Sequence, residues 1–229
     1  MITILKSLFV ASLAFTSTLA ARAESSAQIW LETYYINPRP AELTANVRAL
    51  SREGFFEKPG HTALGIGFLA TVFAKNVERI DAWMGELNTL RPAHRRLVAA
   101  ALWQAGHPLG AERLREVNQK STVREEILRL ADTPAQLVAD TPVRSPSSMN
   151  LQWGAFLANG DERHIIRVLD AIGSGERALD HAARMSLARS AANHPRVLEI
   201  CQAQLTRQPA EVQSVLRAAL RDAEAKPRI

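Results

Sequence analysis

Apolar positions in this chain recur at three- and four-residue spacing through most of its length. Ile165, Ile166, Val168, Leu169 and Ile172 form one such set, and Val212, Val215, Leu216, Ala219, Leu220 and Ala223 form another. That spacing lines side chains along one side of a helix. Beyond residue 23 no stretch sustains the two-residue alternation with β-branched residues that marks a strand. Helix starts are punctuated repeatedly. Pro-Ala opens a run at Pro40, Pro92, Pro134 and Pro209, and proline suits the first helical position because its missing N–H would lack an intrahelical partner there. Thr122…Glu125 and Thr133…Gln136 have the spacing of a capping box. The pattern predicts helices over 25–36, 40–53, 61–75, 77–89, 92–106, 108–119, 122–131, 134–140, 147–159, 161–173, 176–193, 195–207 and 209–225. The expected fold is all-α: a multi-helix array of short helical hairpins, solenoid-like and tetratricopeptide-like in layout only.

The segment ADTPAQLVADTPVRSPSS, residues 131–148, breaks this rhythm. It carries Ala-Asp-Thr-Pro twice and reads as a short helix between turns, then an extended connector. We therefore expect a single helical domain over 24–229, divisible into halves 24–131 and 149–229 by a Pro-rich connector 132–148. Phe73-Ala-Lys-Asn76 resembles Phe156-Leu-Ala-Asn159, His107-Pro108 resembles His194-Pro195, and PAELTANVRAL at 40–50 resembles PAEVQSVLRAAL at 209–220. These pairs fit either a duplicated helical hairpin or the general likeness of alanine-rich helices.

The N-terminus changes the picture of location. Met1–Lys6 carries one positive charge, Ser7–Ala20 is apolar, and Ala21-Arg22-Ala23 has small residues where signal peptidase reads. This is the layout of a secretory signal peptide, and the apolar run is too short to span a ~30 Å hydrocarbon core. The expectation is cleavage after Ala23 and a periplasmic or secreted mature chain. Removing residues 1–23 takes away Lys6 and Arg22 and no acid, so 26 basic residues face 23 acidic ones. Charges of both signs are interleaved, as in Glu112-Arg113-Leu114-Arg115-Glu116, which argues against a nucleic-acid partner. The densest basic group is Arg91, His94, Arg95 and Arg96. It reads as a solvated helix face, with anion or lipid-headgroup contact as the alternative. Cys201 is the single cysteine, on the apolar side of its helix with Val197 and Ile200, and is expected to be a buried, inert thiol.

Chemistry is sparse. Six histidines are scattered without an i, i+4 pair or HExxH, so no metal and no cofactor are expected. There is no GxSxG, no SxxK and no phosphate-cradling glycine loop. Gly65 and Gly67 sit inside an apolar helix at a cost of about 1 kcal/mol each against alanine, which points to close approach of another helix. Trp83, Trp103 and Trp153 lie in apolar runs and read as core. The candidate binding surface is Trp30, Tyr34, Tyr35, Asn37 and Arg39, around the proline-fixed turn Asn37-Pro38-Arg39-Pro40. Its plainer reading is an N-terminal helix clamped to the core by its aromatics.

WLETYYINPRPAEL (30–43), GFLATVFAKN (67–76), RRLVAAALWQAG (95–106) and LQWGAFLANGDERHIIRVLDAI (151–172) resemble recurring segments of uncharacterised, signal-bearing helical proteins of Gram-negative bacteria. That resemblance implies an envelope-located helical protein and brings no activity, ligand or catalytic residue. The functional expectation is a non-enzymatic binding or scaffold module for an envelope protein or peptide. The alternatives are an envelope hydrolase with paired carboxylates drawn from Glu32, Asp81 or Asp161, and a protein in weak contact with a membrane surface.

Overall fold

A computed structural model describes residues 24–117, 124–174 and 176–225. The expected signal peptide and Thr122 of the first capping box lie outside these residues. The described residues are helices and connecting turns, without a strand, so the fold is all-α. In chain order the helices are α1 (Ser26–Thr33), α2 (Leu43–Arg52), α3 (His61–Lys75), α4 (Ile80–Leu87), α5 (Pro92–Gln104) and α6 (Leu109–Val117). They continue as α7 (Arg124–Ala131), α8 (Pro146–Asn159), α9 (Glu162–Asp170), α10 (Arg177–Asn193), α11 (Pro195–Gln204) and α12 (Ala210–Glu224). Short 3₁₀ turns lie at Pro40–Glu42, Phe55–Glu57, Val77–Arg79 and Val138–Asp140.

The capping chemistry is local and legible. Pro92 and Pro195 occupy the first turns of α5 and α11. Ser145 and Ser148 satisfy each other's backbone donors at the start of α8, and Asp161 caps α9 by accepting from the Arg163 N–H. The apolar faces read from the sequence on α9 and α12 are buried: Ile165, Val168 and Leu169 on one, and Val212, Leu216, Ala219 and Leu220 on the other.

The predicted helix 134–140 does not form. Residues 134–137 take no helical turn, and only Val138–Asp140 makes a 3₁₀ turn. Its polar groups are drawn elsewhere: the Gln136 carbonyl accepts from Gln104, and the Val138 and Thr141 carbonyls accept from Gln152 on α8. Arg167 of α9 adds a bond to the Ala139 carbonyl at 3.0 Å. The connector is thus tied down along its middle rather than left as a free linker.

The most extensive helix contact is between α3 and α8, elements from opposite sides of that connector. A stack in which each repeat touches only its neighbours would keep them apart. The contact is made possible by two glycines. A β-carbon on Gly67 would stand 1.9 Å from the Leu151 carbonyl oxygen, and one on Gly154 would stand 1.9 Å from that of Leu64. The crossing is reciprocal, with each glycine seated on the carbonyl three residues before the other. Gly65 serves a different neighbour: its absent β-carbon leaves room for Phe56 and for Leu97 of α5. One buried apolar cluster then runs from Ala27 to Ala223, with a small satellite around Ala99, Trp103, Leu114 and Ala131.

Candidate functional site

The aromatic segment singled out in the sequence divides between core and surface. Trp30 and Tyr34 are buried and form an edge-to-face trio with Phe68 of α3, with ring centroids 5.2–5.4 Å apart. Burial pushes the Tyr34 phenol up. Tyr35 is half-buried, against Phe156 at 5.2 Å and His194 at 5.9 Å. It lies over Gly160, the left-handed residue that ends α8, where a β-carbon would approach its ring to 3.1 Å. Asn37 and Arg39 are exposed, and Arg39 pairs with Glu42 at 3.2 Å. The first two aromatics therefore clamp α1 to the core, and the last three residues follow the surface around the turn.

The proposed carboxylate set is dispersed in role. Asp161 is engaged by Arg163 at 2.7 Å, which holds its carboxyl below the ordinary range. Asp81 is exposed in the first turn of α4. Glu32 is half-buried, and desolvation raises its pKa. Among the described residues no group of three His, Cys, Asp or Glu is placed to hold a metal ion. No helix among them is long and apolar enough to cross a membrane. Cys201 is fully buried, and desolvation pushes its thiol up to about 12.

A cavity of about 710 Å³ lies where the C-terminal half of α2 meets the turn before α5. Its wall carries Arg48, Ser51 and Arg52 from α2, and Thr89, Leu90 and Arg91 from the turn. The volume falls in the range of small-ligand pockets, about 300–1,000 Å³. Arg48 pairs with Glu86 at 2.9 Å, and Arg91 with Glu57. Arg52 is exposed and makes no ion pair among the described residues. Arg91 is also the N-cap of α5, whose first turn contains no acid and no side-chain cap. The positive end of that helix adds to the positive charge of the arginines.

Two of these wall residues, Ser51 and Arg91, also belong to a closed polar ring with Glu57 and His94. Arg91 donates to the Ser51 carbonyl and forms an ion pair with Glu57; the same Glu57 oxygen lies 3.2 Å from His94 Nε2; and His94 Nδ1 lies 2.6 Å from Ser51 Oγ. Ser51 and His94 are each 4% exposed. An ionised carboxylate only accepts, so Nε2 carries the proton and Nδ1 is the bare acceptor. Ser51 Oγ–H therefore donates to Nδ1. Burial lowers the His94 pKa and outweighs the opposing effect of Glu57, so the ring is neutral at pH 7.

The sequence reading reached Arg91 and His94 as a helix-face patch with Arg95 and Arg96. The structure buries His94, joins Arg91 to the cavity wall, and leaves Arg95 and Arg96 exposed outside the residues that line the cavity. Arg48, Ser51, Arg52 and Glu57 were missed. A signal existed for three of them: Arg48, Ser51 and Arg52 stand at i, i+3 and i+4, on one side of a helix. Comparison with protein-family models, with curated proteins and with solved structures finds no match.

Proposed function

We propose that this chain is an exported, envelope-located binding or scaffold module that holds an acidic segment of a partner protein or peptide in the α2–α5 cavity. Export rests on the three-part N-terminal pattern of residues 1–23. The observation that carries the binding reading is charge. Three arginines converge on one concave site, and Arg52 makes no ion pair among the described residues. Arginine suits this task because its planar fork meets carboxylates with two parallel hydrogen bonds. Glu86 and Glu57 already hold Arg48 and Arg91 extended along the wall, so little side-chain freedom is lost when an anion arrives.

Fluorescence anisotropy with fluorescein-labelled hexaglutamate tests this reading. Binding should occur, should weaken as salt is added, and should not occur with hexalysine. Arg52→Glu should weaken it by about tenfold or more with little change in thermal midpoint, because this exposed side chain supports no described contact. Equal affinity in the Arg52→Glu variant, or equal binding of hexalysine, would overturn the assignment of the cavity.

A further inference from the structure

We propose that Ser51 Oγ is an acyl-accepting nucleophile, and that the α2–α5 cavity hydrolyses esters whose acyl portion carries a carboxylate. The substrate class rests on the anionic reading of the cavity; the nucleophile rests on separate geometry. A serine hydroxyl is a weak nucleophile until an adjacent base takes its proton. Here the base is in contact, with His94 Nδ1 2.6 Å from Ser51 Oγ. It is also oriented, since Glu57 at 3.2 Å holds the opposite nitrogen as N–H and thereby fixes the tautomer that leaves Nδ1 bare. Ser51 lines the α2–α5 cavity with 4% of its surface exposed, and no hydrogen bond to its hydroxyl oxygen competes with a substrate among the described residues. The arrangement satisfies the first two requirements of a nucleophile–base–orienter set.

In the first step Ser51 Oγ bonds to the ester carbon as its proton passes to His94 Nδ1. Arg52, which makes no ion pair among the described residues, supplies positive charge for the developing oxyanion. The carbon–oxygen bond to the alcohol then breaks, and the alcohol leaves with the proton from His94. Water attacks the acyl-serine, gives its proton to His94, and the carboxylic acid departs as Ser51 recovers the proton. Arg48 holds the substrate's distal carboxylate throughout. Ser51 and His94 touch the reacting atoms, whereas Glu57 acts through His94 as a positioning residue.

A buried serine–histidine bond that only joins α2 to α5 would show none of this reactivity. The wild-type chain should take a biotinylated fluorophosphonate on the tryptic peptide that contains Ser51. It should release a burst of p-nitrophenolate from p-nitrophenyl hemisuccinate, at about tenfold higher kcat/KM than from p-nitrophenyl acetate. Ser51→Ala should lose both signals while still binding labelled hexaglutamate. Glu57→Gln should lower kcat about tenfold, a larger factor than its effect on KM, which changes only as far as Arg91 is released from the wall. Absence of fluorophosphonate on Ser51 in the folded wild-type chain would overturn the proposal without any variant being made. Equal turnover of the two esters would overturn the substrate class. Hexaglutamate binding without labelling would refute the nucleophile alone, and labelling without hexaglutamate binding would refute the anionic cavity.

Discussion

Gln152 and His164 are both buried, and their hydrogen bonds permit one arrangement of protons. Gln152 Nε2 donates to the Val138 and Thr141 carbonyls, each at 2.7 Å, so its Oε1 must accept from His164 Nδ1 at 2.8 Å. His164 Nε2 is then bare and faces the Asn159 amide at 3.4 Å, while Asn159 Oδ1 accepts from the Asp161 N–H at 2.8 Å. Protonation would turn a second N–H against an amide NH₂. Burial accordingly lowers the His164 pKa to about 4. Between that value and 6.5 the unfolded chain binds the proton that the folded chain refuses, so stability falls as pH falls through this window. From pH 7 to pH 4.5 the loss from His164 should be about 2–3 kcal/mol. Urea midpoints at the two pH values measure it. His164→Asn keeps a donor for Gln152 without a titrating ring and should show a smaller pH dependence; an unchanged slope would show that the imidazole is already charged. In the sequence Asp161 stands three residues before His164. The actual partner is on another helix, and local spacing carries no information about it. The same holds for Ser51, His94 and Glu57, which meet from α2, α5 and a 3₁₀ turn.

Helices with a buried stripe and a marked start were legible because their causes are local. Pro92, Pro195 and Asp161 act within a turn of themselves, and the predicted range 61–75 coincides with α3. Pro134 carried the same signal and failed because its neighbours' polar groups found partners on α5 and α8. The glycines divide similarly. Gly65 and Gly67 announced a close approach, but the sequence did not say that Gly154 was the other side of it. Replacing Gly67 or Gly154 by alanine would drive a methyl into a backbone carbonyl, and backbone moves less readily than a side-chain tip. Either change should cost about 3 kcal/mol by urea unfolding, at the upper end of ordinary overpacking. Gly85 is the internal control: it lies in α4, is exposed, and a β-carbon there meets nothing within 4 Å. Gly85→Ala should therefore stabilise by about 0.5–1 kcal/mol through helix propensity and a less free unfolded chain. Stabilisation by Gly67→Ala would mean that α3 and α8 are not in backbone contact.

The reciprocal glycine crossing also orders the whole chain. Leu64 with Gly67 and Leu151 with Gly154 occupy equivalent places in it. His107-Pro108 and His194-Pro195 keep the same separation as the two glycines. On that register α5, α6 and α7 fall opposite α10, α11 and α12. The Phe73–Phe156 likeness is four residues, about one helical turn, out of that register. The helices recur in order, but their packing does not: α3 lies on α5, whereas α10 lies chiefly on α12. Such a chain resembles two stacked halves in sequence and yet buries one core, because the closest helix pair takes one member from each side of the connector. Its unfolding should therefore be a single event, which two resident probes can test. Three of the four tryptophans, Trp30, Trp83 and Trp103, precede the connector and Trp153 lies in α8 at the crossing itself, whereas Cys201 lies further on in α11, fully buried with its thiol pushed up to about 12. Tryptophan fluorescence and Cys201 labelling by a thiol reagent, followed through one urea series, should give coincident midpoints. Labelling of Cys201 at lower urea than the fluorescence change would mean that α10–α12 open separately, and that the α3–α8 crossing does not couple the two sides.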